Sequence, residues 1–132
     1  MKNNAKGEFE VNLVLQADRE VQDLSRMTID KKFTGDLEAS TLGQMLSART
    51  GVPNSAGYVA IERVEGILHG RKGSFVLQHN GMMNRGKPSL AVTVVPDSGT
   101  GDLTGLTGSL VIDISGGKHY YDFAYELPDE NS

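Results

Sequence analysis

The chain is 132 residues long, carries a net charge of −4 with a pI near 5.3, and contains no cysteine. That length suits one domain with its own core, so residues 1–132 read as a single unit. The missing thiols exclude disulfides, thiolate metal sites and a cysteine nucleophile, and the acidic balance excludes a basic nucleic-acid footprint.

No run approaches the roughly 20 apolar residues of a membrane helix. The opening MKNNAKGEFE lacks the apolar centre of a signal peptide, so the expectation is a cytoplasmic protein with no membrane partner. Phe9, Val11, Leu13 and Leu15 alternate with Glu8, Glu10, Asn12 and Val14, which predicts a half-buried strand. The polar stretch Ala17–Ser25 reads as a loop or a single helical turn. Met27, Ile29 and Phe33 form a second alternating face, interrupted by Lys31, and Thr34-Gly35-Asp36 is a short turn signal. In the third segment Leu37, Ala39, Thr41, Gly43 and Met45 share a side. Thr50–Gly57 is a loop, and Tyr58–Leu68 is a long strand that is apolar on both faces. A strand of that kind is expected where the outer face meets another subunit or element.

His69–Gly73 turns the chain into a short strand, Ser74–His79. Asn80–Pro88 is polar with glycine and proline breakers, and Leu90–Val95 is a dense β-branched strand. Leu110–Ile114 and His119–Leu127 are the last two strands, joined by a hairpin in which glycine supplies positive φ. The tails 1–6 and 128–132 are expected to fray.

These segments amount to about eight strands without a helix of any length. A sheet of that size must close, split or expose edges. Sequential hairpin signals favour an all-β, closed, antiparallel eight-stranded barrel over the alternative, a β-sandwich.

Four separated motifs carry a family resemblance. They are Gly57–Val64 with Gly66, His69–His79, Val94–Gly101 and His119–Leu127. Together they resemble a bacterial domain-of-unknown-function family with an allene-oxide-cyclase-like barrel, from Gly7 to Leu127. The resemblance implies an eight-stranded barrel and homo-oligomers, and it carries over no activity. The wider barrel class includes cyclases, an analogy of architecture in which none of their catalytic residues matches a position here.

The last strand places His119, Tyr121, Phe123 and Tyr125 on one face, expected to line the lumen as a wall for a small apolar ligand. The competing reading is a filled core with its hydroxyls bonded to backbone. His79 shares parity with Phe75 and Leu77, so an inward His79 beside His119 would form an acid–base pair. Gln78 belongs to the opposite parity unless the strand is bulged, and is a candidate ligand contact together with Tyr58.

Glu62 and Arg63 are neighbours on a strand, so one of them must face inward. An inward Glu62 would serve as general acid or base, its pKa raised by burial, whereas an inward Arg63 would grip a ligand carboxylate. A structural ion pair involving Lys31 or Glu38 competes with both. The glycines of Pro96–Gly108 lack phosphate-loop spacing and read as a turn, with a possible role as a rim or lid over one mouth. His69, His79 and His119 lack metal spacing, so neither a metal nor a cofactor is expected.

The functional expectation is a barrel that binds a small apolar or amphipathic molecule in its lumen, as a cyclase or isomerase or as a carrier. The alternative is a non-catalytic, oligomerising barrel with a filled core. Whether the chain is an enzyme stays open at this level.

Overall fold

The computed structural model describes residues 2–16 and 24–128. Eight antiparallel strands follow in chain order. They are β1 (Lys2–Leu15), β2 (Leu24–Gly35), β3 (Leu37–Arg49), β4 (Ala56–Leu68), β5 (Arg71–Asn84), β6 (Lys87–Val94), β7 (Thr107–Ser115) and β8 (Lys118–Glu126). Strand β8 pairs back onto β1, so the sheet closes as the meander expected and no sandwich forms. No helix among the described residues is long and apolar enough to cross a membrane.

Local chemistry explains the meander. His69-Gly70, Arg85-Gly86 and Gly116-Gly117 have positive φ at both positions. That is the backbone of the two-residue turn whose twist matches paired strands, and glycine adopts it without steric cost.

Several strands outrun the sequence reading. Strand β1 starts at Lys2, pairs with β8 from there, and buries Ala5 completely, so residues 2–6 are not a frayed tail. Met1, the segment 17–23 and residues 129–132 lie outside the described residues. Strand β5 continues to Asn84, through a stretch read as a breaker. Gly81 stays in the strand because the Tyr58 ring covers it, with Cε1 2.2 Å from where a Cβ would stand. A glycine under a cross-strand aromatic keeps its packing without a side chain of its own.

The inward residues divide the barrel into two halves. At one end Leu37, Leu68, Phe75 and Phe123 are completely or almost completely buried, with Phe75 stacked on Phe123 at 5.7 Å. The connection from β6 to β7 closes this end. Thr100 donates its N–H to the Ser74 carbonyl, and Leu103 and Leu106 turn inward as a plug. At the other end residues of the same inward parity lose their cover, as Leu15, Leu90 and Ile114 are exposed and Met27, Met45 and Tyr58 half-buried. Strands β6 and β7 bridge only at Thr93↔Ser109, so their portions at this open end are not paired with each other.

Candidate functional site

Four inward polar side chains converge at the junction of the two halves. Lys31 on β2 stands across from Thr41 on β3, and Glu62 on β4 stands across from Gly43. His79 on β5 pairs with Ala60, one inward position from Glu62. All four are buried, Glu62 completely. The interruption that Lys31 makes in an apolar face is therefore the cation of a buried cluster.

The Glu62 carboxylate organises this cluster. Its Oε1 accepts from Lys31 Nζ at 3.0 Å and meets His79 Nε2 at 2.7 Å, while its Oε2 accepts from Thr41 Oγ1 at 2.8 Å. Burial pushes the Glu62 carboxyl up, but the His79 hydrogen bond, the Lys31 charge and their companions outweigh it and hold the group below the usual carboxylate range. This overturns the raised pKa expected from burial alone.

An ionised carboxylate can only accept, so His79 Nε2 carries the hydrogen in this pair. His79 Nδ1 makes no hydrogen bond among the described residues, which leaves its lone pair open. Glu62 thereby orients the imidazole and fixes which ring nitrogen carries the hydrogen.

The other candidates separate. His79 is bonded to Glu62 and not to His119, whose ring lies against Phe9 at 5.2 Å. The expected histidine pair is therefore not assembled. The Lys31 ammonium stands 5.1 Å from the Phe9 ring centroid, so His119 is linked to the cluster through one aromatic ring. His119 also lines a notch of about 530 Å³, with Phe9, Val11 and Lys118, where β1 runs on past the end of β8.

Arg63 and Gln78 face outward and are exposed, so neither can hold a ligand in the lumen. The strict alternation of unbulged strands sends both to the outer face. Tyr58 faces inward at the open end, half-buried, and burial raises its hydroxyl pKa.

Tyr121, Phe123 and Tyr125 face inward too, but into the packed half. The Tyr121 hydroxyl accepts the Leu37 N–H at 2.9 Å and donates to the Thr34 carbonyl at 2.8 Å, which pins the β2–β3 turn to β8. Phe123 lies between the Phe75 and Tyr125 rings. These three residues follow the filled-core reading of the last strand.

The Tyr125 hydroxyl meets His69 Nδ1 at the closed end, and His69 Nε2 lies 3.6 Å from Asp36 Oδ2. In the sequence His69 stands in a turn and is one of three histidines without metal spacing. No local signal announces this contact, because Tyr125 and Asp36 reach His69 only through the pairing of distant segments. Burial raises the Tyr125 pKa, with Arg71 opposing and Asp36 adding to the rise, so this phenol stays protonated near neutral pH. Among the described residues no group of three or more His, Asp or Glu converges as a metal site.

The family described as "Protein of unknown function (DUF3224)" matches residues 5–125. A crystal structure of a protein with unknown function from the DUF3224 family of Shewanella oneidensis superposes with a TM-score of 0.91 at 47% identity. That match covers 98% of this chain and 99% of the other. No curated protein matches.

Proposed function

The chain belongs to the DUF3224 family, and on that footing we propose that it binds a small amphipathic molecule in the open half of its barrel, beside a histidine base. One observation carries this reading: a buried, charged cluster at the inner end of the open half. An apolar replacement for such a cluster is often neutral or stabilising. A barrel that fills its other half with Phe and Leu does not need Lys31, Glu62 and His79 inside in order to fold.

The half-exposed apolar lining, including Met27, Met45 and Leu90, suits the ligand's apolar body. The polar end then lies toward His79. In an isomerisation or cyclisation, His79 Nδ1 takes a proton from the substrate, Glu62 stabilises the imidazolium, and the same proton returns to another substrate atom. Nothing is consumed beyond the substrate. A carrier would use the same pocket without the proton transfer.

The test uses anilinonaphthalene sulfonate as the probe, followed by fluorescence. It is expected to bind once per chain, and Met45→Trp, which fills the open half, is expected to abolish binding while the thermal melt stays cooperative. Binding that survives Met45→Trp, or wild-type protein that binds no probe, overturns the reading. Native mass spectrometry of protein from its own host then supplies the natural ligand class. With that ligand, His79→Gln keeps an N–H for Glu62 but lacks the base. Retained affinity with lost turnover marks an enzyme, and no turnover in wild type marks a carrier.

A further inference from the structure

The outer wall of β3 to β6 carries a feature that the lumen does not explain. At the open half, the outward positions of Gln44–Ala48, Gly57–Ile61, Gln78–Met82 and Ser89–Thr93 stand side by side in register. None of these twelve positions is charged. Leu46, Val59, Ile61 and Met82 among them are 51–60% exposed, and Leu42, next along β3, is 72% exposed. A shallow groove of about 650 Å³ runs over Leu46, Val59 and Ile61. The opposite wall is different, with Lys6, Glu8, Glu10 and Lys118 exposed on β1 and β8.

We infer that this wall is the two-fold interface of a homodimer in which the β3–β6 faces of two chains stack. Three arguments favour a second copy. The first is area. Four strands about 4.8 Å apart and three rows about 6.8 Å apart give roughly 400 Å² in projection. That is about half of the ~800 Å² per partner of a standard interface, which leaves the remainder to a polar rim.

The second argument is charge. A two-fold contact sets each patch against itself, so charges at its centre would repel their own copies. Here the cations stand at the edges, Arg63 next along β4, Lys87 next along β6, and Arg26 on β2, whose guanidinium is bonded to Gln44 Oε1 at 3.0 Å. A patch free of acidic groups also offers a basic partner no complementary charge.

The third argument is hydrogen bonding. Gln44, Gln78 and Asn80 are carboxamides, each both donor and acceptor, so a row of them complements an identical row. Stacked sheets at an angle near 30° bring such rows together. The open ends of both barrels remain accessible, so this inference is independent of the pocket reading.

The test is sedimentation velocity on the full chain over concentrations up to about 100 µM, a range that captures dimers of micromolar Kd. Wild type is expected to sediment at twice its 14.2 kDa. Ile61→Lys and Leu46→Glu each place a charge on the two-fold patch and are expected to raise the dimer Kd by about 100-fold or more. Asn12→Lys, on the exposed outer face of β1 in the opposite wall, is the control and stays dimeric. Far-ultraviolet circular dichroism melts monitor folding, and both patch residues are exposed, so at least one variant stays folded. A monomeric wild type overturns the inference. So does a folded patch variant that keeps its assembly, or a control that dissociates as well.

Discussion

Glu62 accepts from three donors in a space without solvent, and its energetics follow from that. Removing one partner of a buried ion pair leaves the other charge uncompensated, which costs about 3–5 kcal/mol. Glu62→Ala is therefore expected to lose about that much by denaturant unfolding. The double variant Lys31→Met/Glu62→Met is expected to recover most of the loss, because no orphaned ammonium remains.

The acid limb of stability has a defined sign. The folded carboxyl of Glu62 is held below its ordinary value, so its contribution is fully present above the unfolded pKa. It is lost as the pH falls through the folded value. Urea midpoints measured between pH 7 and pH 3 should fall for wild type and fall less for Glu62→Gln. Little of this was visible beforehand. Alternation shows that Glu62 and Arg63 oppose each other, but only the register of β4 against β3 and β5 decides which one is inside.

At the scale of the elements, the single bridge between β6 and β7 leaves their open-end portions unpaired with each other, and a ligand of the lumen is expected to enter there. Continuing the Thr93↔Ser109 register would set Ala91 opposite Val111. The chain has no native cysteine, so Ala91→Cys/Val111→Cys forms a clean pair. Oxidation is expected to slow probe entry by on the order of tenfold, and reduction to restore it, as for any gated site. Unchanged stopped-flow entry in the cross-linked protein would remove the entrance from this slot. The slot was not legible in the sequence. Leu90–Val95 and Leu110–Ile114 read as good strands, and alternation within each says nothing of how far two strands stay together.

The molecule as a whole is polarised along its axis, packed at one end and open at the other. Backbone protection should follow the same gradient. Amide exchange is expected to be slowest around Leu37, Leu68, Phe75 and Phe123, which are buried and closed over by Leu103 and Leu106. It should be fastest over Lys87–Ala91 and Val111–Ser115, where β6 and β7 are not paired with each other. Hydrogen exchange read by mass spectrometry on peptides from the two ends checks this. Equal protection at both ends would contradict a barrel packed at one end only.

Period-two alternation and glycine at the turns were enough to determine an all-β chain of eight consecutive hairpin-linked strands. Both are local properties, set by which face each side chain takes and by where φ turns positive. Closure decided everything that depends on neighbours across the barrel. The register of the neighbouring strands β2–β5 drew Lys31, Thr41, Glu62 and His79 into one cluster. Closure sent Tyr121 and Tyr125 into the packed half and left Arg63 outside. Those contacts join residues far apart in the chain, and the stagger between strands that creates them belongs to the closed sheet and to no single segment.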